Sequence, residues 1–326
     1  MEKIIMTKSL LDTNIKLKQK FYFQFLFYLG LVILSISINY FSELKSNFYL
    51  IICFFLLATV GVSHGSLDNQ KGKLLFQKKF NKHWPLIFYS LYIATSLLVL
   101  LIWLNFPLLS IIFFFIVASF HFGHEDLELF INKNFFLNRL IYFFRGLLVI
   151  SAPLYLNNQE TANFIDILLL GIDTWNFNPE FFYYLFYLNL FILISLQILY
   201  LYLKLLNFRY FLIICIENLS IILIFNYLPL ILAFTIYFCF MHSSKHILSL
   251  ANELDANDLN QGLKRFLVLS LPLTIATFLI AVIMLFYLSN DFSISNAMLK
   301  IIFIGLASLT LPHIMLEYIY GRTRKR

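Results

Sequence analysis

Charge is scarce in this chain. Of its 326 residues only 13% are Asp, Glu, Lys or Arg, while 61% are hydrophobic, against roughly 45–50% apolar residues in a soluble domain. A soluble globular protein is excluded. Repeated apolar runs of about 20 residues, each long enough to cross a bilayer, are joined by short polar loops, which leaves no room for a separate soluble domain. Cysteine is nearly absent as well: Cys53, Cys215 and Cys239 lie singly in apolar runs with no CxxC spacing. That excludes a disulfide framework and a zinc ribbon and makes all three packing residues. The net charge of +7 is spread over loop ends with no contiguous basic face, so no nucleic-acid partner is expected. No small-residue cleavage site follows the first apolar run, so that run is expected to be an uncleaved span.

What is present is an all-α, polytopic integral membrane bundle. Apolar runs at 21–41, 48–63, 84–105, 107–122, 139–157, 181–203, 209–226, 228–245, 265–289 and 297–319 predict about ten transmembrane helices. Asn105-Phe106-Pro107 and Asn226-Tyr227-Leu228-Pro229 read as tight turns between neighbouring helices, with Pro suited to the first turn of the next one. Lys and Arg gather on one side of such a bundle. With both termini cytoplasmic, the inner segments hold 21 of the 24 Lys and Arg residues, and only Lys45, Arg145 and Lys300 fall elsewhere, in line with the positive-inside rule. Residues 1–20 form a basic cytoplasmic segment, 21–320 a single transmembrane catalytic bundle and 321–326 a basic cytoplasmic tail, in a multi-pass protein of the cell membrane. The longest outer loop, 157–180, carries Glu160, Asp166, Asp173 and Glu180 and no Lys or Arg. Its run Phe164 to Leu170 reads as a short interfacial helix without a clear amphipathic pattern.

The seven histidines are not scattered. His64, His121, His242, His246 and His313 fall near the inner ends of even-numbered spans, so this topology puts them at one membrane depth. A polar group there is expensive unless it is used. His242 and His246 close the run Tyr237 to Met241 and are spaced four apart. On a helix that puts both imidazoles on one face, with Cβ atoms about 5–6 Å apart, and makes half of a metal site. His64 lies in Gly61-Val62-Ser63-His64-Gly65-Ser66-Leu67-Asp68, where Asp68 is placed to orient the imidazole through its second nitrogen. His121 lies in Ser119-Phe120-His121-Phe122-Gly123-His124-Glu125-Asp126, where His124, three residues on, is a competing ligand. His313 follows Pro312, which bends its helix, and Glu317 lies four residues beyond. Glu217 sits in the middle of an apolar span and needs a partner. His83, beside Lys82 and Trp84, reads as an interfacial residue.

Three or more neutral imidazoles with no thiolate suit iron(II), copper or zinc. Ser243 follows His242 where a zinc metalloprotease helix carries its catalytic Glu, so peptide hydrolysis is disfavoured. Two other chemistries stand beside a mononuclear redox metal. A two-iron lipid hydroxylase or desaturase would need about eight ligands in several histidine-rich boxes. A haem-binding or transporter-like bundle would need ligands on opposite faces of a ring, which a pair four residues apart on one helix does not offer.

Taken together and in order, His64-Gly65-Ser66-Leu67-Asp68, Phe120 to Asp126, Phe240-Met241-His242-Ser243-Ser244-Lys245-His246 and Leu311-Pro312-His313 resemble the motifs of the Brp/Blh family, the bacteriorhodopsin-related-protein-like β-carotene 15,15′-dioxygenases. The resemblance runs from the second span to the carboxyl terminus. It implies an Fe(2+)-dependent membrane enzyme that splits the central double bond of β-carotene with O2 into two molecules of all-trans-retinal, which would be passed to a microbial rhodopsin. By matching position it implies His64, His121, His242 and His246 as catalytic metal ligands. Glu217 matches an acidic position of the family, His313 a further family histidine whose role stays open, and His124 lies inside the second motif, so that Asp68 and Glu217, with His313 and His124, are the candidates for residues behind the ligands. A metal near the inner face requires a polyene lying strongly tilted or parallel to the membrane plane, and Phe120, Phe122 and Phe240 are the expected lining of that passage.

Overall fold

The computed structural model describes residues 20–39, 48–63, 65–131 and 136–324, and every regular element among them is a helix. In order these are α1 (Lys20–Asn39), α2 (Phe48–Leu56), α3 (Asp68–Phe80), α4 (Trp84–Asn105), α5 (Pro107–Leu127), α6 (Asn138–Leu156), α7 (Asn158–Leu168), α8 (Pro179–Tyr202), α9 (Phe208–Tyr227), α10 (Leu230–Tyr237), α11 (Ser244–Leu254), α12 (Leu259–Leu288) and α13 (Ile294–Arg324). Among the described residues nine helical stretches are long and apolar enough to cross a membrane, and a shorter apolar helix covers Tyr49–Gly61. A helix satisfies all its backbone groups internally, which is why such runs take this form in hydrocarbon. The basic segment 1–20, apart from Lys20, lies outside the described residues, as does Lys45.

Helix boundaries follow local chemistry. The α4–α5 junction falls at Phe106, with Pro107 as the first residue of α5, and α9 ends at Tyr227 just before Pro229, both as the turn signals require. Asn178 Oδ1 accepts from the backbone N–H groups of Glu180 and Phe181 at the start of α8, and Asn207 Oδ1 from that of Arg209 at the start of α9, each satisfying orphan donors of a helix first turn. The acids of the outer loop have a similar use. Asp173 accepts from Leu108 N at the start of α5 (3.0 Å), and Glu160 accepts from Leu230 N at the start of α10 (2.7 Å). A carboxylate at a helix N-terminus also meets the positive end of the dipole.

Two expectations change. Residues 68–80, read as an inner loop, form the helix α3. The outer segment is more amphipathic than its sequence suggested: on α7, Thr161, Phe164, Ile165 and Leu168 are buried, the i, i+3, i+4, i+7 stripe of a packed helix, and Phe164 meets Phe303 of α13 at 4.4 Å between ring centroids.

The chain divides into two compact units. The first takes in the described residues of Met1–Leu67 and Phe234–Ile280. In it α1 packs on the stretch around Phe240, with Phe27 edge-on to Phe240 (6.2 Å). Gly262 on α12 approaches so near to Ala251 on α11 that a Cβ would overlap the Ala251 carbonyl.

The second unit comprises Asp68–Ala233 and Ala281–Arg326. Its centre is α6, of whose most apolar stretch 61% is buried. α5 and α6 cross where Gly123 faces Gly146: a Cβ on Gly123 would overlap the Tyr142 carbonyl, and one on Gly146 the Ser119 carbonyl. Small residues allow this backbone approach, the usual device of membrane helix pairs. Because the obstruction is backbone, no rotamer change can relieve it. Gly146→Val is expected to destabilise by at least about 1–3 kcal/mol, the ordinary range for overpacking, whereas Gly30→Ala, with open space around it, should cost nothing. Melting of the two detergent-solubilised variants against the parent checks this.

Candidate functional site

In the first unit the histidine pair sits at an irregularity. α10 gives way to a π-helical turn over Phe238–Ser243, which holds His242, and α11 then begins and carries His246. A second π-turn, Leu57–Gly61, closes α2 just before the His64 motif. The two turns touch. A Cβ on Gly61 would come within 2.9 Å of the Phe238 ring, and Cys239 Sγ donates to Leu56 O at 3.5 Å. π-turns are rare and concentrate at functional sites. Here the widened turn is tied down by Gln24 of α1, whose Nε2 donates to Phe240 O and to Ser244 Oγ, both at 2.8 Å. The His242 ring is fully buried and stacks nearly parallel on Phe238 (5.5 Å, 20°), while His246 is 7% exposed. Both imidazoles are therefore shielded from the surface. His64 itself lies outside the described residues.

In the second unit His121, near the end of α5, and His313, on α13, are both buried, their ring centroids 5.4 Å apart and their planes nearly perpendicular. His313 Nδ1 donates to Asp68, with both carboxylate oxygens at 2.9 Å, and Tyr92 OH of α4 donates to the same carboxylate at 2.9 Å. Asp68 thus orients the imidazole of His313, while its expected contact with His64 falls on a residue outside the described ones. One turn further along α3 and α13, Lys71 pairs with Glu317.

Glu217 has its partner. Arg145 of α6 lies between Asp126 of α5 (3.1 Å) and Glu217 of α9 (3.6 Å), with all three side chains at most 1% exposed. This explains why Arg145 departs from the positive-inside pattern: it serves two buried acids. Lys300, the other described exception, is buried with Nζ 3.2 Å from the centre of the Phe292 ring, a cation–π contact.

His124 does not share the surroundings of His121. Its side chain is 48% exposed, packed on Tyr142 and 3.7 Å from Glu125. His83 is exposed in the turn before α4, as an interfacial residue should be. Of the three phenylalanines, Phe122 is buried with its ring centroid 6.0 Å from that of His121, Phe240 is half-buried, and Phe120 is 44% exposed against Phe143. Phe120 and Phe122 are two residues apart and so leave the helix on different sides. Sequence reasoning missed Tyr92, the Arg145 cluster and both π-turns. For the cluster two signals were available: Arg145, a guanidinium inside an apolar run that contains no acid to meet it, and Glu217, an acid in an apolar run with no base.

The described histidines fit a metal that takes neutral nitrogen ligands: His121, His242, His246 and His313 are all at most 8% exposed, and imidazole suits iron, copper and zinc alike. The chain is 27% identical over 280 residues to the β-carotene 15,15′-dioxygenase of uncultured marine bacterium 66A03, covering 81% of this chain and 92% of that protein. No solved structure matches. The family model for β-carotene 15,15′-dioxygenase matches residues 55–320, a stretch holding every histidine motif described above, and the chain belongs to that family.

Proposed function

We propose that this protein is a multi-pass membrane enzyme that cleaves β-carotene at its central 15,15′ double bond with O2 to give two molecules of all-trans-retinal. The observation that carries this reading is the family match over a region in which His121, His242, His246 and His313 are all buried within apolar helices. In the reaction the central carbon–carbon double bond breaks and each of its two carbons gains one oxygen atom of O2, so no proton need leave the substrate. This agrees with a site built from imidazoles in which no general base is required.

His64, His121, His242 and His246 would hold an iron(II) ion, which supplies the one-electron chemistry that O2 needs before it can react with a polyene. The contribution of the chain is positional and dielectric. Phe238 fixes the plane of the His242 ring by stacking, Gln24 holds the π-turn that carries His242, and Phe122 shields His121. Burial keeps water from the site, which protects a reactive centre from side reactions. The lipid-soluble substrate enters from the bilayer. Both termini lie on the cytoplasmic side and Tyr49–Gly61 belongs to a tenth span, a topology supported by the distribution of Lys and Arg.

Expression of this chain in a bacterium that already makes β-carotene should bleach the orange colour and yield retinal as the product, measured by chromatography. Persistent colour without retinal, with the protein present in the membrane and iron supplied, would overturn the proposal.

A further inference from the structure

Asp68 is used by more groups than a simple helix contact needs. It is the first residue of α3, where the helix dipole favours a carboxylate, and it is 4% exposed. It receives the His313 Nδ1–H from α13 and the Tyr92 hydroxyl from α4. The two donors fix its orientation, and the Lys71–Glu317 pair one turn along both helices fixes the rotation of α13 about its axis. A carboxylate that accepts the hydrogen bond of Nδ1–H defines the tautomer of a neutral imidazole and leaves Nε2 with the lone pair. It also raises the basicity of that nitrogen, the arrangement that commonly stands behind a metal-ligating histidine. In His313 the Nε2 atom is itself buried, and the ring lies edge-to-face beside His121, 5.4 Å away.

From this geometry we propose that His313 is a further metal-binding residue beside His121, and that Asp68 and Tyr92 are its positioning residues. The inference rests on the reading above that the chain holds a histidine-bound metal. It adds a ligand from α13 and gives Asp68 a stated task at that ligand. It also explains why a Tyr in the apolar helix α4 turns its hydroxyl to an acid at the start of α3: the phenol satisfies the carboxylate oxygen that would otherwise be free to rotate away from the imidazole.

The test uses the full chain in detergent, freed of metal and titrated anaerobically with Co(II), read by metal per chain, by affinity in competition with a chelator, and by the visible absorption of the bound ion. Asp68→Asn preserves shape and should weaken Co(II) binding about 10–100-fold, the usual consequence of losing such a partner, with a shifted absorption band. Tyr92→Phe should shift both readouts the same way by less. His313→Ala should weaken binding most and change the band. Melting of the metal-free proteins separates this from a purely structural clamp. A clamp would lower the melting temperature in Asp68→Asn and His313→Ala while affinity and absorption stayed those of the parent, and that result would overturn the inference alone. A parent protein that takes up no Co(II) or iron would overturn the metal-based function and the inference with it.

Discussion

Replacing Arg145 by methionine is expected to reduce sharply the amount of folded protein recovered from the membrane and to lower the melting temperature of what remains. The guanidinium is fully buried between Asp126 and Glu217 on α5 and α9, so its removal leaves two carboxylates together in an apolar interior. Breaking a buried pair by deleting one partner costs about 3–5 kcal/mol, a large share of the stability of an ordinary domain. The loss should come from uncompensated charge and not from lost packing. Arg145→Met combined with Asp126→Asn and Glu217→Gln should therefore recover much of the stability that the single change removes. Arg145→Lys should fall between, because an ammonium cannot reproduce the planar fork. If Arg145→Met melted with the parent protein, the cluster would hold nothing together and its place at the centre of the second unit would need another account.

The second large effect separates two histidines three residues apart. His121→Ala should abolish retinal formation and lower bound iron, since His121 is buried beside His313 and Phe122. His124→Ala should leave both nearly unchanged. Its side chain is about half exposed, and substitutions at exposed positions without special roles stay within about 0.5 kcal/mol. Retinal yield in cells that make β-carotene, together with iron per purified chain, checks both. Equal loss in the two variants would remove burial as the criterion that distinguishes them and would bring His124 back as a ligand.

Much of the fold was legible because hydrocarbon imposes simple rules. An apolar run of about 20 residues must be helical. The caps at Asn178 and Asn207 emerged only in the structure, whereas the boundaries at Phe106 and Tyr227 follow from the prolines beside them, which act within a few residues. Local chemistry of this kind was readable one segment at a time. The segment 68–80 was missed because its polar composition resembles a loop, and its helicity depends on tertiary links such as Lys71 to Glu317. The stripe on α7 was hidden for a different reason. Its apolar residues are nearly continuous in sequence, and only packing against neighbours such as Phe303 selects which of them are buried.

The sequence by itself determined the class of the protein, its helical spans, and the histidines worth considering, because hydropathy, charge asymmetry and motif order are properties of the chain read in one dimension. Tertiary structure alone decided which polar groups meet. Asp68 and His313 are 245 residues apart and Arg145 and Glu217 are 72 apart, and no local rule relates such positions. Their pairing arises because each buried polar group in an apolar interior must find a partner wherever the packing of helices brings one within reach. The same packing put His121 inside and His124 outside on a single helix, and set the two π-turns side by side, with Gly61 against the Phe238 ring.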